Sequence, residues 1–401
     1  MVRKATVLVG LLALVGAIIL PATGAGAATT LEVQVGAPLF ANPAANGAPA
    51  DGMRFYAPPL NVHQGDTVTF AIAGFHTATM LPANTDADTW VAANAGGPGK
   101  PYSLITADPD EGATGAKFNN TAILPSSLDC GDATAPCPYD GTTVVNSGIV
   151  DANDVNGQEY KFSSQINSAV GSTTWVLCLI HLGMRLQISV VASTATATTQ
   201  AEIDTYLGQK STHDARAASR LHRSLLASTS STPTGGVVQA FAGYDGPHFA
   251  LDHFYPSKIL LRKGQRVRWH FDQLAFEDHT VTFPGKKALA IAHNSFVPGC
   301  DPDGDTGTMP DQPADMTATT LATVCPGGAS QIEVDVDPRF GPPAGDGVIA
   351  STHDFESSGV EGANAGNATA FTLRFGAKTG NVPYTFRCII HPFMRGRVIV
   401  G

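Results

Sequence analysis

Cys178-Leu-Ile-His181-Leu-Gly-Met184 returns near the C-terminus as Cys388-Ile-Ile-His391-Pro-Phe-Met394. A thiolate, an imidazole and a thioether thus recur at identical spacing. Soft sulfur beside imidazole nitrogen suits copper, and two His with one Cys and a weak axial Met describe an electron-transfer copper site. Each loop lacks one histidine, and each half of the chain supplies it upstream. His76 lies in Phe75-His76-Thr77-Ala78-Thr79 and His279 in Asp278-His279-Thr280-Val281-Thr282, both just past an apolar strand-like run. The candidate metal ligands are therefore His76, Cys178, His181 and Met184 for one site, and His279, Cys388, His391 and Met394 for a second. Two coppers per chain, cycling between Cu(I) and Cu(II), are expected.

The repetition extends outward from these loops. Leu60-Asn-Val-His-Gln-Gly-Asp-Thr-Val-Thr-Phe70 alternates apolar and polar residues around a glycine turn, as half-buried strands do. Ile259-Leu-Leu-Arg-Lys-Gly-Gln-Arg-Val-Arg-Trp269 is its counterpart, and Asp140–Gly148 pairs more loosely with Asp346–Gly359. Each half closes on its metal loop and a strand, Leu186–Val190 or Arg397–Val400. The expected organisation is a signal peptide over 1–27, a first domain over 31–191, a Ser/Thr/Ala-rich linker over 192–236 with a helical stretch from Gln200 to Leu226, and a second domain over 237–401. His213 and His222 of the linker are at no metal-ligand spacing with a Cys and read as solvated.

Length and composition agree with this division. The chain has 401 residues, against about 150 per domain on average. Charged residues make up only 14%, while Gly and Pro are plentiful, which fits short strands joined by long turns. A formal charge of −10 disfavours a nucleic-acid partner. Redox proteins or small redox molecules are the expected partners. Arg3 and Lys4, the apolar run Ala5–Leu20 and the small residues ending Ala25-Gly26-Ala27 form a secretory signal pattern, with cleavage expected after Ala27. The run is short for a span of ~20 residues and no later segment suits a membrane, so the mature protein is expected outside the cytoplasm with no membrane span.

Six cysteines in an exported chain admit three disulfides. Cys130 and Cys137 are neighbours in one Gly/Pro/Asp-rich insert, and Cys300 and Cys325 bracket another. Two local bridges are expected there, leaving Cys178 and Cys388 as thiolates, one per half.

The segment Tyr384-Thr-Phe-Arg-Cys388-Ile-Ile-His391-Pro-Phe-Met394-Arg-Gly resembles the cupredoxin family, and within it the metal loop of amicyanin, with plastocyanins and pseudoazurins more distant. That resemblance implies an all-β protein: two tandem Greek-key β-sandwich domains, each holding a type 1 (blue) copper on the residues named above. Two features depart from it. More than a hundred residues separate each upstream His from its Cys, which requires large inserts, and Leu182-Gly183 stands where the second loop has Pro392-Phe393.

An electron carrier rather than an enzyme is the expectation. Multicopper oxidases and copper nitrite reductases resemble one another in placing a His directly beside the copper Cys. Here Leu177 and Leu179 flank one Cys, Arg387 and Ile389 the other, and no His-x-His pair occurs. Copper scavenging or delivery is the alternative, weakened by seven Met in total with no cluster. A metal-free adhesive sandwich would not need every ligand type twice. His293 and His353 rival His279 as the distal ligand but have no partner in the first half. His63, His248, His253 and His270 read as packed or surface residues, and Asn119 and Asn367 as weak glycosylation motifs.

Overall fold

The computed structural model describes residues 28–39, 50–97, 99–107, 116–149, 160–271, 277–293, 295, 297–300, 332–335, 339–362 and 370–401. The signal segment, Cys325 and Asn367 lie outside the described residues. What is described is predominantly strand, with one long helix and three short ones, in the tandem β-sandwich arrangement.

Alternation of buried and exposed side chains explains why these segments form sandwich faces. Thr30–Pro38 and Arg185–Val191 each bury every second residue over most of their length. In the first half, Cys137–Tyr139, Tyr160–Ile166, Thr67–Ile72, Thr30–Pro38 and Ala50–Phe55 lie side by side in that order. In the second, Val348–Ile349, Ala370–Phe375, Arg266–His270, Val237–Gly246 and Phe249–Tyr255 repeat the order. The facing sheets match too: Leu60–His63, Arg185–Val191, Thr173–Leu177, Thr79–Met80 and Val145–Asn146 in one half, Lys258–Leu261, Arg395–Val400, Tyr384–Arg387, Thr282–Phe283 and Glu356–Ser357 in the other. Aliphatic and aromatic side chains fill each sandwich, with Phe70, Phe162 and Val176 in the first and Trp269, Phe283 and Phe386 in the second.

Three features join the halves. Ala50–Phe55 pairs antiparallel with Phe249–Tyr255, Asp51 opposite Ala250, so the two five-stranded sheets run on as one ten-stranded sheet. Strands from the two inserts share a further sheet: Ile105–Ala107 and Ala116–Phe118 from the first half, Val297–Cys300 and Ile332–Asp335 from the second, meeting at Asp335 and Lys117. The long inserts thus knit the halves together. A shared apolar cluster lies beneath, uniting Trp90, Leu177 and Leu179 with Ile291, Phe340 and Ile389.

The helical stretch expected in the linker is the helix Gln200–Ser228, opened by a capping box between Thr199 and Glu202. It lies across the sheet junction. Asp214 pairs with Arg54 at 2.9 Å, while His222 meets the Tyr255 hydroxyl at 2.7 Å. His213 is exposed, as expected, but the solvated reading of His222 is corrected: its ring is buried between helix and sheet. Sequence spacing alone could not show this, because His222 is buried by the sheet on which the helix lies. Of the proposed disulfides, Cys130–Cys137 is formed, which closes a short insert loop.

Candidate metal centres

Each centre is built by two pieces of backbone distant in sequence. Cys178 follows the strand Thr173–Leu177, and the chain turns through His181 and Met184 into Arg185–Val191. The turn is closed by its own amides: Cys178 N donates to the Met184 carbonyl at 3.2 Å, and Met184 N to the His181 carbonyl at 2.8 Å. His76 arrives from the loop before Thr79–Met80. Its Nδ1 lies 2.8 Å from His181 Nδ1 and 3.9 Å from Cys178 Sγ, which is itself 3.6 Å from His181 Nδ1.

The second centre repeats this arrangement. His279 Nδ1 lies 3.2 Å from His391 Nδ1, and Cys388 Sγ lies 3.8 Å from His391 Nδ1. The loop amides close it at the same distances, Cys388 N to the Met394 carbonyl at 3.2 Å and Met394 N to the His391 carbonyl at 2.8 Å. The structure therefore gathers His76, Cys178 and His181 in one group and His279, Cys388 and His391 in another. Met184 and Met394 are buried and pack in the same clusters as the two cysteines.

The surroundings hold these groups still. Both thiols are free and fully buried. Each sulfur accepts two backbone amides, Thr77 N and His181 N in the first half at 3.4 Å each, Thr280 N at 3.3 Å and His391 N at 3.4 Å in the second. Such outer contacts orient a ligand and tune what it holds. The Thr77 and Thr280 hydroxyls accept Leu179 N and Ile389 N, tying each upstream loop to its metal loop. Behind each histidine lies a glycine with positive φ, Gly36 and Gly243, so close that an added Cβ would fall 2.4 and 1.9 Å from the ring. No larger residue fits there.

Buried soft and borderline donors converging in this way can hold copper, and the acid–base state of the group fits. Burial pushes the Cys388 thiol up, but hydrogen bonding to His279 and His391 outweighs it and brings the thiol down to about 5. Cys178 is likewise held well below the ordinary thiol range despite burial, chiefly by His181. Burial lowers His181, His391 and His279, but it is outweighed, chiefly by Glu277 at His181, by Asp252 and Glu277 at His391 and by Cys388 at His279, so that all three are raised. A metal ion would displace protons from imidazole nitrogens that already face a thiolate.

The Nδ1 atoms face the sulfur, so the Nε2 atoms point away, and two of them point at the same residue. Glu277 Oε1 lies 3.0 Å from His181 Nε2, and its Oε2 lies 3.4 Å from His391 Nε2. Burial would raise the Glu277 carboxyl, but the two imidazoles override it and hold the group well below the usual carboxylate range. Two other carboxylates nearby behave oppositely. Asp51 is pushed up by burial, and Asp252, whose oxygens meet no hydrogen-bond donor, is pushed up to about 7. Glu277 is thus the one of the three whose partners outweigh its burial.

Of the rival histidines, His353 is exposed and outside both groups, and the side chain of His293 lies outside the described residues. His63 meets the Ala195 carbonyl and His270 the Gln239 side chain, as packed or surface residues do. His181 is only 1% exposed, because the metal loops face each other across the shared cluster, while His391 keeps a 14% exposed side chain beside the exposed Phe393. Glu277, Gly36 and Gly243 were not singled out from sequence. The glycines left a signal, since Gly36 in Thr30–Pro38 and Gly243 in Val237–Gly246 occupy matching strands upstream of their histidines.

No protein-family model matches the sequence, and no curated protein matches it. Among solved structures, a multicopper oxidase is similar over 93% of this chain and 88% of its own, with 12% identity and a TM-score of 0.18. Copper nitrite reductase from Nitrosomonas europaea is similar over 93% and 94%, with 11% identity and a TM-score of 0.17. Lac15 from a marine microbial metagenome is similar over 64% of this chain and 50% of its own, with 13% identity and a TM-score of 0.17. Superposition at that level carries no substrate or activity over to this chain, and the case for copper rests on the donor atoms. Two expectations are nevertheless corrected. The similarity is to a multicopper oxidase and copper nitrite reductases, and nothing singles out amicyanin or plastocyanin. Those structures are enzymes, which overturns the expectation of a non-enzymatic carrier; a missing His beside each Cys does not exclude an enzyme.

Proposed function

We propose that the chain is an exported copper protein that holds one mononuclear type 1 copper in each half and passes single electrons through them. The observation that supports this most directly is the pair of buried His2Cys groups, each with a free thiol and a buried Met in the same loop. Bound copper would supply the one-electron couple, with sulfur favouring Cu(I), imidazole accepting either state and the weak Met tuning the potential.

The chain's own residues do the rest. His76 and His279, wedged against glycine backbone, resist movement as the oxidation state changes. The paired amides on each sulfur and the hydroxyls of Thr77 and Thr280 keep donor geometry constant. Leu179 and Ile389 exclude water. Electron transfer at such a centre serves carriers and redox enzymes alike, so the reading stands with either; redox proteins or small redox molecules would be the partners. Export is inferred from the N-terminal pattern, and no helix of the described residues is long and apolar enough to cross a membrane.

The test is copper(II) loading of the mature protein, followed by its visible spectrum and a count of copper per chain. An intense thiolate-to-copper charge-transfer band with two coppers is expected. A colourless protein after loading would overturn the reading.

A further inference from the structure

We propose that Glu277 is the path by which the two centres exchange electrons, its carboxylate bridging His181 of one and His391 of the other. This rests on the copper reading above and deepens it. Each carboxylate oxygen serves one ring, Oε1 at 3.0 Å from His181 Nε2 and Oε2 at 3.4 Å from His391 Nε2. Because the Nδ1 atoms face the thiols, the chain of groups from one sulfur to the other runs through His181, Glu277 and His391 without leaving the protein. Electronic coupling decays steeply across each through-space gap, so a side chain that shortens the gap to two ion-pair contacts sets the preferred route.

The choice of residue is specific. Glu277 stands two positions before His279, and Gly74 stands two before His76, so the internal repeat supplies one bridge and not two. A buried carboxylate is costly unless it is paired. Glu277 meets that requirement with two imidazoles drawn from opposite halves. The electron given up at one donor set is taken up at the other, so exchange consumes no outside oxidant or reductant. Carboxylates that contact a ligating histidine orient it and raise its basicity, and here one carboxylate does this for two centres at once.

Glu277→Gln keeps the shape but carries no charge to pair with either ring. In copper-free, 15N-labelled protein, this variant is expected to shift the Nε2 resonances of both His181 and His391 while the fold is retained. A shift confined to one ring, or to neither, would overturn the bridge. In the loaded protein, a Met394→Leu background makes the two absorption bands distinguishable, and pulsed reduction then follows equilibration between them. Glu277→Gln is expected to slow that step by about 10-fold or more, the order of effect on metal affinity or activity when a partner of a ligating histidine is removed. Glu277→Asp, too short to reach both rings, should slow it as well and serves if the Gln variant does not fold. Two blue bands with an unchanged rate would overturn the path and leave the copper reading intact, whereas a colourless parent protein would overturn both.

Discussion

The two halves share strand order, ligand spacing and sulfur-directed amides, yet they differ just before the upstream histidine. Gly74-Phe75-His76 in the first half corresponds to Glu277-Asp278-His279 in the second. The repeat thus keeps the donor set in both halves and differs in what surrounds it, with one carboxylate lying between the two groups. A second contrast follows the same logic. The His181 side chain is 1% exposed, whereas His391 lies beside the exposed Phe393 and is 14% exposed. Of the two rings, His391 is therefore the one that meets solvent.

The largest test of this comparison is removal of each thiolate. Cys388→Ser should abolish the colour and one copper from the second half alone, and Cys178→Ser should do the same for the first. Loss of both bands from either change, measured with copper counted per chain, would show that the centres do not form independently. Next come the glycines. Gly243→Ala sets a Cβ 1.9 Å from the His279 ring at positive φ, and Gly36→Ala one at 2.4 Å from His76. Each should cost about 3 kcal/mol from backbone strain and overpacking. Thermal unfolding should show the larger loss for Gly243→Ala.

The shared cluster sets how far the halves are separate. Leu179→Ala and Ile389→Ala each open a cavity in it and should cost about 2–3 kcal/mol. Since the cluster and the ten-stranded sheet span both halves, calorimetry should show one transition shifting as a whole. Two resolved transitions would mean that the halves unfold on their own.

The smallest effect concerns pH. Arg54-Phe55-Tyr56 and His253-Phe254-Tyr255 hold corresponding places under the long helix, the first paired with Asp214, the second against His222 and Tyr255. Burial lowers His253 from its ordinary 6.5 to about 4. Between those values the unfolded chain binds the extra proton, so this contribution to stability is complete above 6.5 and is lost as pH falls toward 4. His253→Gln should flatten that part of the stability profile, measured by denaturant unfolding. An unchanged slope would place the acid sensitivity elsewhere.

Much of the fold and site was legible because it rests on local pattern. Alternation marked the strands around Gly65 and Gly264, and the doubled Cys-x-x-His-x-x-Met named six of eight candidate ligands without any structure. His76 and His279 were legible from repetition, since Thr77 and Thr280 follow them for the same reason, to hold the metal-loop amide. His222 was misread because its burial comes from the sheet beneath it. The role of the inserts was also hidden, since Lys117 and Asp335 pair across more than two hundred residues of chain.

What the sequence by itself determined was therefore the periodic and the repeated: strand faces, which follow from a two-residue side-chain period, and donor types at fixed spacing, which follow from the reach of one turn of backbone. What only the tertiary structure decided was how the halves face one another. The antiparallel seam between Ala50–Phe55 and Phe249–Tyr255, and the meeting of His181 with His391 across Glu277, depend on relative placement that no local spacing encodes. A carboxylate alone in the sequence reads as one more surface acid; between two buried imidazoles it becomes an ionised bridge, because burial makes pairing compulsory.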